Sequence, residues 1–143
     1  GLFMIDIATF ALFESSQNIS NGQGGVVQQL TGPVTILRPK FVPSNYSFAV
    51  SIGVRGLDMH NENSMHIILK NPSGDVLSDL GEKLLPIAGE DDILPIEYSG
   101  FVACIDFRNV VIETSGAYIL EVYVNNSLIG TKEIPVYVRS VNQ

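Results

Sequence analysis

The stretch "GAYILEVYVNNSLIG", residues 116–130, decides the fold. Apolar side chains recur in it at every second position, which is the period of a half-buried β-strand. They are Tyr118, Leu120, Val122 and Val124. Asn125 and Asn126 follow, and both tolerate the positive φ that a two-residue type I′ turn requires. The stretch therefore predicts a β-hairpin whose first strand turns one apolar face to the core.

The returning strand of this hairpin carries a conflict of register. With a two-residue turn the inward face reaches Glu133, whereas the apolar Ile134 falls on the opposite parity. A three-residue loop over 125–127 brings Ile134 inward, but it brings Lys132 inward as well, and burying a lysine is costly. We therefore predict a bulge or strand switch near Pro135, with a break between Glu133 and Ile134.

Other short segments repeat the alternating pattern and are separated by turn signals. The cleanest is "YSFAVSIGVRG" at 46–56, and "NPSG" at 71–74 has the Pro and Gly positions of a type I turn. The polar run "SSQNISNGQGG" at 15–25 predicts a hairpin connection, and Gly32-Pro33 predicts an edge, a bulge or a bend. The pattern predicts an all-β fold over 1–143, a single antiparallel β-sandwich domain of eight or nine strands with little or no helix.

Composition and charge exclude two classes of partner. The chain has 143 residues, enough to bury a core, and only 16% are charged, against roughly 25% in typical soluble domains. Its formal net charge is −7, and its eight lysines and arginines are scattered singly along the sequence. Without a basic stripe to neutralise phosphates, we expect no nucleic-acid binding and no docking on anionic lipid.

The start of the chain and its one cysteine bear on location. "GLFMIDIATFALF" at 1–13 lacks a basic n-region and is too short to span a bilayer, so no membrane insertion is predicted. Cys104 lies in "FVACIDF" and is predicted to be a small buried hydrophobic residue. A single cysteine allows no intrachain disulfide, which favours a reducing, cytoplasmic location. A signal peptide removed upstream stays compatible with the sequence.

Two polar loops carry residue types that bind metals. "DMHNENSMH" holds Asp58, His60, Glu62 and His66, which are donors suited to zinc, but their spacing matches no known ligand pattern. "AGEDD" holds Glu90, Asp91 and Asp92, which offer oxygen ligands for calcium, although calcium loops space their ligands to wrap the ion. For both, the simpler interpretation is a solvated polar loop, and no cofactor is predicted.

No catalytic motif is present in the sequence. It contains no GxSxG, GxxxxGK, HExxH or GxGxxG pattern, and neither histidine lies in a recognisable triad context. We therefore expect a protein that is not an enzyme, and a hydrolase with a dispersed site ranks last among the alternatives.

Several segments resemble one bacterial family of uncharacterised proteins. They are the "ATFALFES" strand at 8–15 with the turn and strand after it, "HIILKNPSGDVL" at 66–77, and "SGAYILEVYVNNSLIGTKEIPVYV" at 115–138. The sequence departs from the family at two places. It has Asn126 where the family more often has glycine, and it has "FVPSN" where the family has a shorter connection that contains proline. The resemblance implies a small Ig- or C2-like β-sandwich, with no known activity, cofactor or catalytic residue.

These observations lead to a functional hypothesis and an alternative. The first is a non-enzymatic interaction module, such as a subunit of a larger bacterial or phage-related assembly, which binds another protein or itself. On the outer face of the 116–130 strand, Ile119 and Tyr123 are the residues available for a partner. The alternative is a ligand-, calcium- or zinc-binding sandwich that uses the two polar end loops.

Overall fold

The computed structural model describes residues 4–91 and 93–139, which form eight strands and one turn of 3-10 helix at Ile96–Tyr98. The strands are β1 (Asp6–Ser20), β2 (Val26–Val34), β3 (Ser44–Arg55), β4 (Ser64–Lys70), β5 (Val76–Leu84), β6 (Gly100–Ile112), β7 (Gly116–Val124) and β8 (Ser127–Val136). The predicted all-β class is confirmed. In this part of the chain, no helix is long and apolar enough to cross a membrane.

The strands form two four-stranded antiparallel sheets. One has the order β2-β1-β3-β6 and the other has the order β5-β4-β7-β8. The chain changes sheet after β3, after β5 and after β6. Strands β3 to β8 thereby take the places of strands B, C, C′, E, F and G of an immunoglobulin-like sandwich. This order agrees with the Ig-like form of the predicted sandwich.

The core lies between the sheets because each strand turns its alternate apolar side chains inward. Among the fully buried side chains are Phe48, Val50, Ile52, Ile67, Leu69, Phe107, Tyr118, Leu120, Val122 and Ile134. Tyr118 lies near the start of β7, and its hydroxyl donates a hydrogen bond of 2.8 Å to the carbonyl oxygen of Thr114, four residues upstream. This is the tyrosine corner that characterises immunoglobulin-like folds.

The β7–β8 hairpin resolves its register conflict in a different place from the one predicted. Asn125 and Asn126 have φ of 51° and 67°, so the two-residue turn is confirmed. Val122 pairs with Gly130 and Tyr123 pairs with Leu128, which puts the bulge directly after the turn. The predicted break between Glu133 and Ile134, near Pro135, is therefore wrong, because pairing is regular from Gly130 to Val136. The cost assigned to Lys132 does not arise, since this residue lies opposite Leu120 on an edge strand and is only half-buried.

The predicted hairpin connection over 15–25 is also too long. Strand β1 continues through Ser20 and β2 begins at Val26, so only 21–25 form the connection. Asn21 closes it, because its side-chain oxygen accepts hydrogen bonds from the backbone N–H groups of Gln23 (2.8 Å) and Gly25 (3.1 Å). The polar residues before it, 15–20, belong to β1 and pair with β2.

Strands β2 and β3 belong to the same sheet, but the segment between them runs beside the other sheet, parallel to the end of β8. The backbone N–H of Leu37 donates to the carbonyl oxygen of Pro135, and the N–H of Tyr137 donates to the carbonyl oxygen of Leu37, both at 2.9 Å. The N–H of Arg139 donates in the same way to the carbonyl oxygen of Pro39, at 2.9 Å. Segments far apart in sequence are thereby joined at one end of the sandwich.

Candidate interaction surfaces

A two-stranded arm extends from the first sheet. Strand β1 pairs with β3 only as far as Phe13, which lies opposite Ala49, whereas its pairing with β2 continues to Ser20. We call residues 15–31 the arm. At its base Gly32 has a φ of +70°, a left-handed conformation that glycine adopts without strain.

Both edges of the arm are unpaired within the described residues. No strand pairs with β2 on its outer side, and none pairs with 15–20 on the side away from β2. Polar side chains link the two strands, as in the 2.6 Å hydrogen bond between the hydroxyls of Ser15 and Thr31. No residue of the arm belongs to the buried core. The arm therefore depends on its own ladder, and isolated two-stranded hairpins are only marginally stable in water.

The arm also lacks the usual protection of an exposed edge. Natural edges are blunted by charged residues, especially lysine, yet residues 15–37 contain no charged side chain. Ile19, Val26 and Val27 are exposed on the arm, with Val26 at 68%. An uncharged edge with exposed β-branched residues offers backbone N–H and C=O groups to an extended strand of another chain.

The outer face of the second sheet contains the two predicted contact residues, Ile119 and Tyr123, both half-buried. The hydroxyl of Tyr123 donates a hydrogen bond of 3.1 Å to Oε1 of Glu121, and Lys70 forms a 3.0 Å salt bridge with the other oxygen of that carboxylate. The rings of His66 and Tyr123 lie 5.8 Å apart. The polar groups of this face satisfy one another, so it is less open to a partner than the arm.

Two pKa values on the same face are shifted. The hydrogen bond from His66, followed by the one from the backbone N–H of Gly81, holds the pKa of Asp79 below its ordinary value of 3.8. The hydrogen bond to Glu121, followed by desolvation, raises the pKa of Tyr123 above its ordinary value of 10.0. Both groups lie on the open face of a sheet rather than in a cleft, so their shifts report structural pairing.

The residues of the candidate zinc loop are separated by the fold. Asp58, His60 and Glu62 lie on the loop before β4, whereas His66 lies on β4 and contacts Asp79 of β5. The carboxylate of Asp58 accepts hydrogen bonds from the backbone N–H of His60 (3.0 Å) and from the side-chain amide of Asn61 (2.9 Å). Among the described residues, no three histidine, cysteine or acidic side chains are grouped so that they could hold a metal ion.

The candidate calcium loop lies in the connection between β5 and β6. Glu90 and Asp91 are exposed there, and Asp92 lies outside the described residues. The connection is anchored to the loop after β3 by backbone hydrogen bonds, from Ala88 N–H to the Met59 oxygen (2.7 Å) and from Leu57 N–H to the Ser99 oxygen (3.1 Å).

The prediction that Cys104 is buried is wrong. Its side chain is exposed, because Ile105 and Phe107 of β6 point into the core, so the neighbouring even positions, 104 and 106, point outward. Cys104 pairs with Ser51 on the outer face of the first sheet, and its neighbour Val102 is 68% exposed. The apolar residues around Cys104 belong to β6, an edge strand with one face in the core and one face in solvent.

A basic groove forms where β1 leaves β3, and the sequence did not predict it. A cavity of about 460 Å³ lies in this fork, with Arg38, Arg139 and Tyr46 in its lining and Glu14 opposite. A second cavity of about 350 Å³ shares these three residues and adds Lys40 and Phe41, among others. We call the two together the basic groove.

Three of the eight basic residues of the chain therefore converge at this end. They are Arg38, Lys40 and Arg139, and within the described residues none forms a salt bridge. Sequence distance concealed this grouping, because Arg139 reaches the groove only through the pairing of its backbone with Pro39. Nearby, the hydroxyl of Ser44 is buried and has no hydrogen-bond partner among the described residues.

The opposite end of the sandwich is acidic and apolar. The sequences of the loops at 56–63 and 85–99 contain six acidic residues and no lysine or arginine, although Arg55 and Lys83 lie on the strand ends beneath them. The acidic residues are Asp58, Glu62, Glu90, Asp91, Asp92 and Glu97. Exposed apolar side chains accompany these acids, namely Ile87, Ile93, Leu94 and Tyr98. A cavity of about 510 Å³ separates Leu94 and Tyr98 from the ends of β1, β3 and β6. Large apolar residues exposed together with a polar rim are typical of an interaction site.

Comparison with known proteins gives likeness of fold only. No protein-family model matches the sequence, and no curated protein matches it. Among solved structures, the chain is similar to an immunoglobulin-like protein from Pseudomonas aeruginosa, with 11% identity, 95% of this chain and 98% of that chain covered, and a TM-score of 0.38. It is also similar to a β-glucosidase from Listeria innocua, with 11% identity, 91% of this chain and 16% of that chain covered, and a TM-score of 0.39. At these values neither likeness bears on function, and the fold assignment rests on the strand order.

Proposed function

We propose that this chain is a non-enzymatic protein-interaction module whose main contact element is the arm, residues 15–31. The observation that carries the proposal is the arm itself, a two-stranded extension without a charged side chain, both edges of which are unpaired in the described part of the chain. An exposed, uncharged edge favours aggregation unless a partner covers it. Strand addition by a partner uses backbone hydrogen bonds for affinity and alternate side chains for specificity.

The proposal has two further parts. The chain is a subunit of a larger bacterial or phage-related assembly, and it belongs to the family that its sequence resembles. A subunit of an assembly needs contact surfaces rather than a reaction site, and the arm supplies one. The lack of catalytic motifs supports a role other than catalysis, and the single cysteine favours a cytoplasmic location.

Site-specific photocrosslinking in the native host tests the proposal. A benzophenone amino acid replaces Val27 on the arm, and the matched control carries it at Val111, an exposed valine of β6 at 45%. We expect a crosslinked product of defined mass from position 27 and none from position 111. Mass spectrometry then shows whether the captured chain is another protein or a second copy.

A charged arm provides an independent control. The double variant Val26→Lys/Val27→Lys keeps the core intact, since neither side chain is buried, and it places lysines on the unpaired edge. When the benzophenone is moved to Ile19 on the partner strand of the arm, the crosslink is expected in the native background and is expected to be lost in the lysine variant. Equal crosslinking from positions 27 and 111, or a crosslink insensitive to the lysines, would contradict the proposal.

A further inference from the structure

The two ends of the sandwich have complementary surfaces. The basic groove presents three cations, Arg38, Lys40 and Arg139, with the aromatic side chains of Phe41 and Tyr46 beside them. The far end presents Glu90, Asp91 and Glu97 together with exposed isoleucine, leucine and tyrosine side chains. Complementary potentials of this kind direct the encounter and the register of protein partners.

The two surfaces cannot meet within one molecule. Strand β3 begins at Ser44, which lines the basic groove, and ends at Arg55, next to the acidic end. Twelve residues at about 3.3 Å each separate the two ends by roughly 35 to 40 Å. The segment before β6 therefore cannot reach the groove of its own molecule, and the chain itself lines the groove with one carboxylate, Glu14, against three cations.

We propose that the basic groove receives the acidic, apolar segment before β6 of a second copy, so that copies of the chain associate end to end. The contacting residues of that segment are Glu90, Asp91 and Glu97, with Leu94 and Tyr98 as the apolar part. This inference rests on the proposed function, because it names one partner of the interaction module, and it assigns that partner to a surface distinct from the arm.

End-to-end contact joins two different surfaces, so it is heterologous. Such contacts give closed rings if the rotation between copies closes and open filaments if it does not. A pair of copies joined in this way keeps one basic groove and one acidic end free for further copies, and the arm stays available for a different chain.

Sedimentation velocity of the full chain tests the inference, with inorganic salt as the first variable. At about 0.01 M salt, where the Debye length is roughly 30 Å, we expect a weight-average mass that rises with protein concentration beyond twice the monomer mass. At about 1 M salt, where the Debye length is roughly 3 Å, we expect the mass to fall towards that of the monomer. A monomer at low salt over the whole micromolar to submillimolar range would overturn the inference.

Charge reversal gives the sharper test. The groove variant Arg38→Glu/Arg139→Glu and the segment variant Glu90→Lys/Asp91→Lys/Glu97→Lys are each expected to be monomeric, because in each variant the groove and the segment before β6 carry the same sign. An equimolar mixture of the two is expected to associate again, since every contact then joins opposite charges. The control Arg108→Glu/Lys132→Glu has the same change of net charge as the groove variant, lies away from both ends, and is expected to associate like the native chain.

Circular dichroism confirms that each variant is folded before its mass is measured. Association that survives both reversals, or variants that stay monomeric when mixed, would overturn the inference. Photocrosslinking at Val27 separates this failure from that of the proposed function. If the copies fail to associate but position 27 still captures a protein, only the end-to-end contact is refuted, and the arm remains the contact element.

Discussion

The sharpest stability prediction concerns Asn125, which joins the β7–β8 turn to the loop before β4. Its side-chain oxygen accepts a hydrogen bond of 2.9 Å from the backbone N–H of Ser64, and its amide donates one of 2.9 Å to Oδ1 of Asn63. Both partners are buried, Asn63 at 5% and Ser64 at 6% exposure. Asn63 in turn donates from its own amide to the carbonyl oxygens of Asp58 (2.8 Å) and Asn61 (3.0 Å).

The expected loss follows from these contacts. Asn125→Ala removes two neutral hydrogen bonds, worth about 1 kcal/mol each in the net. It also removes the side-chain amide by which asparagine tolerates a φ of 51°, so alanine costs roughly 1 kcal/mol more than asparagine in this left-handed conformation. The free energy of unfolding should therefore fall by about 3 kcal/mol, which corresponds to roughly 10 °C in Tm for a chain of this size.

Asn126 provides the matched control in the same turn. It has a φ of 67°, but its side chain forms no hydrogen bond with the described residues. Asn126→Ala should therefore cost only the backbone part, about 1 kcal/mol. Asn125→Gly relieves the backbone but loses both hydrogen bonds, so we expect a loss of about 2 kcal/mol.

Guanidinium unfolding followed by circular dichroism measures all three variants. Equal losses for Asn125→Ala and Asn126→Ala would refute the reasoning, because they would show that the hydrogen bonds to Asn63 and Ser64 contribute nothing. Indistinguishable results for Asn125→Ala and Asn125→Gly would refute the part assigned to backbone conformation.

Three further predictions follow from other contacts. Pairing with His66 lowers the pKa of Asp79 in the folded state, so this carboxylate stabilises the fold above its unfolded pKa of about 3.8 and loses that contribution as the pH falls through the folded value. Asp79→Asn should therefore flatten the dependence of the unfolding free energy on pH below about pH 4, and an unchanged dependence in an acid titration would contradict this. Tyr118→Phe removes the hydrogen bond to Thr114 and should cost about 1 kcal/mol in chemical unfolding, whereas a neutral effect would mean that the corner contributes only packing. Cys104 should react with a thiol reagent in the native state at a rate close to that in denaturant, and strong protection would contradict its exposure.

The sequence was sufficient for the inward faces of the strands but not for the end of the β7–β8 hairpin. Alternation through Tyr118 and Val124 identifies the core side of β7 because one face of the strand is apolar throughout. Parity also showed that β8 must contain an irregularity, yet it could not place the bulge, since a break at Ile129 turns Lys132 inward and a break at Pro135 turns Glu133 inward, and both are charged. Backbone geometry next to the turn decided the position.

The arm and the basic groove were less accessible to sequence reasoning. A run of Ser, Asn, Gln and Gly is typical of a loop, and only the ladder pairing of 15–20 with 26–31 shows that it is strand. The groove joins Arg38 and Arg139, which are a hundred residues apart, through a parallel pairing that leaves no periodic signal. The one hint of the groove in the sequence was "RPK" at 38–40, which has one cation on each side of a proline and directly follows the uncharged run 15–37.

The sheet order also has a consequence for how the chain folds. The hairpins β4–β5 and β7–β8 close over short loops. Strand β3, which ends at Arg55, can pair with β6 only after the chain has reached Gly100. Long-range pairing of this kind slows folding, because the loop-closure entropy is lost before the contacts form. During synthesis on the ribosome, one edge of β3 therefore emerges well before its partner strand, and the nascent chain carries that unpaired edge until β6 has left the exit tunnel.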